Sequence, residues 1–142
     1  DECISREQII DALRYVGMLG YVESLEHGLD TEVSGDTFFS QGQKQLLAIA
    51  RAIVTDPPLL LLDEITANLD SITEERIVTV LQKASQAHTI LSISHRLSAM
   101  VASDTVVILE NGRVKSVGSP EMLMQNDDWY RSHVTLEKLT WK

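Results

Sequence analysis

The apolar positions of this chain change their period near residue 57. Before that point they recur at helical spacing. Ile9, Ile10, Leu13 and Val16 follow the capping box Ser5-Arg6-Glu7-Gln8, and Leu46, Leu47, Ile49, Ala50, Ile53 and Val54 form a second run. Asp56-Pro57-Pro58 stops that run. The first helix is expected to end around Gly17 and Gly20. A shorter helical turn through Val22 and Leu25 should stop at Gly28, a candidate left-handed cap, and Asp30 to Thr37 is turn-like. Past Pro58, strand and helix alternate. Leu59 to Leu62 is short and uniformly apolar, as expected of a parallel strand covered on both faces. Ser71-Ile72-Thr73-Glu74 reads as a second capping box, with Ile77, Val78, Val80, Leu81 and Ala84 on the buried face behind it. Thr89 to Ser94 is the next strand, followed by a helix from about Leu97 to Ala102. Thr105 to Leu109 and Val114 to Val117 flank Asn111-Gly112, a strong hairpin signal. Ser119-Pro120-Glu121 opens a helix through Met124, and the tail is helical around Trp129, Tyr130 and Val134. The pattern divides the chain into a helical block at 1–56, an α/β block with a mostly parallel sheet at 57–127, and a helical tail at 128–142.

Composition narrows the picture. With 142 residues, 44% of them apolar, the chain suits one small domain with a real core. It begins at Asp1 and its four Met residues are internal, so it reads as a fragment or processed piece. A net charge of −9 argues against a nucleic-acid surface, which needs clustered Lys and Arg. The single cysteine, Cys3, cannot form an internal disulfide. No apolar run approaches the ~18 residues of a membrane helix, and no signal peptide is visible. Any membrane association would come from a partner or from a further part of the same chain.

Two stretches carry candidate chemistry. Ser40-Gln41-Gly42-Gln43 precedes a helix, where backbone amides and a Ser hydroxyl can hold a phosphate at the positive dipole end; an ordinary N-cap by Ser40 is the plain alternative. Asp63-Glu64 ends a buried strand, where open α/β sheets place their ligands. One division of labour has Asp63 hold Mg²⁺, directly or through water, while Glu64 polarises an attacking water; alternatively the pair simply ends the strand. His95 follows the next strand and shares the sheet edge with Glu64 if the two strands are neighbours; there it can donate to a terminal phosphate, though a lone His is otherwise most often structural or solvated. Asp70 reads by default as a cap. His27, His88 and His133 have no such context, and Trp129 and Trp141 read as packing residues.

The combination is more specific than its parts. FSQGQKQLLAIARAI, LLLLDEITANLD, SISHR and VVILENGRVKSVGSPEML together closely resemble the carboxyl-terminal half of an ABC-transporter nucleotide-binding domain, from Ser5 to near Trp129. GLDTEV at Gly28 to Val33 resembles the exporter branch. The resemblance implies a P-loop NTPase-like α/β fold, preceded by an all-helical signature subdomain, and here only part of that domain. It implies that Ser40, Gln41, Gly42 and Gln43 form the signature motif, which closes over the γ-phosphate of ATP held by the opposite subunit. Asp63 would serve Mg²⁺ at the end of the Walker B strand, Glu64 would be the catalytic carboxylate, and His95 would contact the γ-phosphate. Ala67 to Asp70 would be the D-loop that touches the partner. The implied partners are a second nucleotide-binding domain, identical or not, arranged head-to-tail, and a transmembrane domain that holds the protein at the cytoplasmic face of the membrane. Phe39 and Gln41 depart from the family's LSGGQ, Ile65 stands where Ala is usual, and Asn68 is atypical. No GxxGxGK[ST] loop, preceding aromatic platform or recognisable Q-loop is present.

Three functions compete. The first is the motor of an exporter, hydrolysing ATP as part of a full-length protein. The second is a DNA-maintenance ATPase, which shares these motifs but is disfavoured by the acidic balance and the absence of flanking heptads. The third is a non-catalytic fragment; lacking the phosphate loop, the isolated 142 residues are expected to be inactive.

Overall fold

The computed structural model describes residues 4–35, 38–94, 96 and 100–140, with side chains as far as residue 136. They fall into two compact units, Asp1–Ile93 and Ser94–Lys142.

In the first unit, helix α1 (Arg6–Tyr15) opens on the expected capping box: Ser5 Oγ accepts the Gln8 amide at 3.2 Å and Gln8 Oε1 accepts the Ser5 amide at 2.8 Å. It stops because Gly17 turns to φ 70°, which lets the Met18 amide return to the Leu13 carbonyl at 2.8 Å. Gly20 is not a stop. It lies inside α2 (Leu19–Glu23), since one left-handed residue at Gly17 already reverses the chain. Gly28, at φ 52°, begins a single 3₁₀ turn to Asp30, where Arg6 clamps the carboxylate with bonds of 3.2 and 3.0 Å.

Helix α3 (Gln41–Ile53) starts directly at the candidate phosphate-binding stretch. Beyond it, β1 (Leu59–Asp63) and β2 (Thr89–Ile93) pair in parallel from Leu59↔Thr89 to Asp63↔Ile93, with α4 (Ser71–Ala84) as the crossover. The cap of α4 is Asp70, not Ser71: Asp70 Oδ1 accepts the Thr73 amide at 3.0 Å, so Ser71 becomes the first helical residue. Leu13, Val16, Leu46, Ile49, Leu62, Ile77 and Val80 share one core, drawn from α1 and its C-cap, α3, β1 and α4.

Within this unit, and among the described residues, the parallel strands are covered on one face, where the uniformly apolar run suggests cover on both. Leu60 and Leu62 are buried, whereas Leu61 and Leu91 are 69% and 59% exposed. Side chains alternate along a strand, and the helical core of this unit takes only the Leu62 side.

In the second unit, β3 (Val106–Glu110) and β4 (Arg113–Gly118) form the expected hairpin. Asn111 at φ 51° and Gly112 at φ 74° supply the two left-handed residues that a tight I′ turn requires. Ser119 caps α5 (Pro120–Asn126), with Pro120 in the first turn. Asp127 leads into α6 (Asp128–Thr140): its carboxylate accepts the Tyr130 amide at 2.8 Å and the Ser116 hydroxyl at 2.6 Å. Ile108, Leu123, Tyr130 and Val134 are the core of this unit. Trp129 is not a core residue; the i, i+4 stripe belongs to Tyr130 and Val134, and Trp129 stacks at 4.2 Å on His133 instead. Of the helix expected at 97–102, Met100 and Val101 are helical and 97–99 lie outside the described residues. No helix among the described residues is long and apolar enough to cross a membrane.

Candidate functional site

The start of α3 is built by a reciprocal cap. Ser40 Oγ accepts the Gln43 amide at 3.2 Å, and Gln43 Oε1 accepts the Ser40 amide at 2.9 Å. A Ser hydroxyl is one donor and two acceptors, so this cap uses an acceptor site and leaves the O–H as a donor. The amides of Gln41 and Gly42 belong to the first turn, where helix geometry provides no intrahelical acceptor. Donors thus converge at the positive end of the helix dipole, the chemistry a phosphate oxygen needs. The Ser40 cap and the phosphate-binding reading are compatible, because they use different sides of the hydroxyl. Phe39 anchors the entry: its ring lies edge-on to Phe38 at 4.9 Å and tilted against Tyr21 at 5.8 Å, and it packs on the unit's core.

Asp63 and Glu64 stand exposed at the carboxyl end of β1. The chain leaves the strand sharply, with Glu64 at φ 46°, a left-handed conformation that costs a side-chain-bearing residue about 1–2 kcal/mol. Two bonds hold the turn: the Glu64 amide donates to the Ile93 carbonyl and the Ala67 amide donates to the Glu64 carbonyl, both at 2.9 Å. Ile65, Thr66 and Leu69 then plunge into the interior. Asn68 adopts φ 58°, a region Asn tolerates better than most residues, which gives its presence in this turn a physical reason.

The strands are neighbours, as the shared-edge reading of Glu64 and His95 requires, and Asp63 pairs with Ile93. His95 itself lies outside the described residues. Asp70 binds Thr73 twice, through the amide at 3.0 Å and the hydroxyl at 2.7 Å. The hydroxyl bond is the larger cause of the Asp70 carboxyl being held below the usual carboxylate range, followed by the amide bond. Thr73 in turn lies against buried Gly42, so the Asp70 turn and the start of α3 meet. Thr73 does not stand out in the sequence as a site residue because it reads as an interior position of a capping box; the Asp70–Thr73 spacing of three was the available signal.

Among the described residues no cluster of three or more His, Cys, Asp or Glu could by itself hold a metal ion. Mg²⁺ ordinarily takes only one or two carboxylates and completes its shell with water and phosphate. The exposed Asp63 carboxylate fits that partial shell. His88 supports the frame of the fold, with Nδ1 lying 2.6 Å from the Pro57 carbonyl and so joining the turn before β1 to the start of β2.

Residues 4–67 match the family model described as ABC transporter. The chain is 40% identical over 91% of its length to the ATP-dependent lipid A-core flippase of Pasteurella multocida (strain Pm70), of which it covers 22%. It is 36% identical over 99% of its length to the sophorolipid transporter of Starmerella bombicola, covering 11% of that protein. Among solved structures, an Atm1-family bacterial ABC exporter with ATP bound superimposes over 96% of this chain with a TM-score of 0.83 and 35% identity, and the match covers 24% of that chain. The chain belongs to the ABC transporter family. Within it, this is a portion of an exporter-type ATP-binding region.

Proposed function

We propose that this chain contributes the signature motif, the Walker B strand and the catalytic carboxylate of an exporter ATPase that works in its full-length form. The observation that carries this reading is a left-handed Glu64 directly after Asp63, at the carboxyl edge of two parallel strands. Strain of this kind persists where surrounding structure holds it, and it aims a side chain away from the strand direction. Glu64 is the base that orients the attacking water. Asp63 holds Mg²⁺, which supplies charge neutralisation at the phosphates when bound. His95 contacts the γ-phosphate. In phosphoryl transfer, positioning and charge stabilisation are the protein's main contributions.

Ser40, Gln41, Gly42 and Gln43 close over ATP carried by a second nucleotide-binding domain, identical or different, in a head-to-tail pair, and Asp70 lies at the contact between the two. The likeness to exporters supports a transmembrane partner and a position on the cytoplasmic face of the membrane. The functional division follows the motifs: 1–56 for the signature subdomain, 57–127 for the α/β part, 128–142 for the tail. The isolated 142 residues neither bind ATP tightly nor turn it over, because they include no Gly-rich phosphate loop.

The test is steady-state ATP turnover by the full-length protein in vesicles, with and without Mg²⁺, alongside DNA binding at low and high salt. Mg²⁺-dependent turnover without DNA binding is expected. Salt-sensitive DNA binding would instead favour the DNA-maintenance class, and turnover by the purified 142-residue chain would overturn its predicted inactivity.

A further inference from the structure

The first turns of α3 and α4 meet where Gly42 faces Thr73. Gly42 is buried, and a β-carbon there would overlap the Thr73 γ-methyl while lying 3.4 and 3.6 Å from Thr73 Cβ and Oγ1. Thr73 cannot swing aside cheaply. Its hydroxyl donates to Asp70 Oδ2 at 2.7 Å, its amide donates to Asp70 Oδ1 at 3.0 Å, and a β-branched side chain in a helix has few rotamers. Gly42 is helical and is not among the left-handed glycines, so backbone conformation does not require glycine there. Alanine would even favour the helix. Within this chain, the demand for glycine comes from Thr73.

We propose that Thr73 is a positioning residue that makes the Asp70 turn and the Ser40–Gln43 helix start one mechanical piece. Asp70 orients the Thr73 hydroxyl; that bond fixes where the methyl points; the methyl seats the backbone at Gly42. Packed interiors transmit such displacements because they barely compress. A shift of the Asp70 turn therefore carries the first turn of α3 with it, and the donors at Ser40, Gln41 and Gly42 move as a set. This inference rests on the proposed roles of Ser40–Gln43 and Asp70, and it adds a coupling between those two motifs inside one subunit.

The test is a methyl exchange in the full-length protein: Gly42→Ala, Thr73→Ser, and both together. The readouts are kcat and KM for ATP and hydrogen exchange of the first-turn amides of α3. Gly42→Ala inserts a methyl into occupied space and should lower kcat about a hundredfold, the cost of a misplacement on the order of 1 Å. Thr73→Ser keeps the bond to Asp70 but leaves a gap, and should lower kcat about fivefold with KM within about twofold. The double variant moves the methyl from one helix to the other, so kcat should rise about tenfold above that of Gly42→Ala and amide protection should recover. A double variant no better than Gly42→Ala overturns the proposal. Recovery of amide protection without recovery of kcat also overturns it, leaving a packing contact with no positioning role. If the wild type hydrolyses no ATP, the ATPase reading fails; the exchange coupling between positions 42 and 73 then decides the contact separately.

Discussion

Ser40 carries two separable duties, and three substitutions divide them. Its Oγ caps α3 by accepting the Gln43 amide, while its O–H is the proposed donor to phosphate. Ser40→Ala removes both. The cap loss is worth about 1 kcal/mol, which makes first-turn amides of α3 exchange roughly fivefold faster, since that energy changes an opening equilibrium by about that factor. Losing a hydrogen bond to a charged group costs a further ~1.5–3 kcal/mol, roughly ten- to hundredfold in turnover if the bond forms only as the site closes. Ser40→Gly should keep the cap within a few tenths of a kcal/mol yet lose the same turnover. Ser40→Asp preserves the cap with a carboxylate but sets a negative charge against the phosphate, so it should combine wild-type protection with the lowest turnover. Hydrogen exchange and steady-state hydrolysis on the full-length protein read the two duties side by side. Turnover near wild type in Ser40→Asp would refute the phosphate contact, and unchanged exchange in Ser40→Ala would refute the cap.

Other consequences concern the frame of the site and the second unit. Ile77 is fully buried at the heart of the first unit, so Ile77→Ala should lower the opening free energy of α4 by about 2–5 kcal/mol; a change below about 1 kcal/mol would show that the core there is not close-packed. Asn68 is left-handed at φ 58°. Asn68→Ala should destabilise its turn by about 1 kcal/mol and Asn68→Gly should not; equal exchange rates in both would contradict the backbone argument. The Asp127 carboxyl is held below the usual carboxylate range, first by the Ser116 hydroxyl and then by the Tyr130 amide. A depressed folded pKa stabilises fully above the unfolded value near ~4 and is lost as pH falls through the folded value. Protection of the α6 amides should therefore fall in acid below about pH 4 in wild type and change little over that range in Asp127→Asn. An identical acid profile in the two proteins would count against it.

Much of this molecule was legible in its residues because local chemistry set it. Ser5 with Gln8, Ser40 with Gln43 and Asn111-Gly112 each specify a cap or turn within a few residues, and each formed where its chemistry required. Asp70 and Ser71 show the limit: both are good caps, adjacent in sequence, and only the Thr73 amide and hydroxyl together select the carboxylate. The cover over β1 was not legible. A uniformly apolar strand states that both faces suit burial, but not which neighbours arrive, and Leu61 remains exposed. Trp129 reads as a packing residue of the tail and stacks on His133, while helical phase gives the buried stripe to Tyr130 and Val134. The contact of Gly42 with Thr73 joins residues 31 positions apart by number, so no local pattern could reveal it. Glu64 was readable as a carboxylate at a strand end, yet its left-handed backbone came only from the structure.

The function proposed for this site turns on Glu64 activating water for ATP hydrolysis. Its most direct test is Glu64→Gln in the full-length protein, measuring bound Mg²⁺-ATP and phosphate release on the same sample. Glutamine keeps the shape and hydrogen-bonding reach of the side chain but removes the base. ATP should remain bound at wild-type occupancy while phosphate release falls by a factor of at least ~10²–10⁴, the usual contribution of a general base. Phosphate release at the wild-type rate would contradict the role assigned to Glu64.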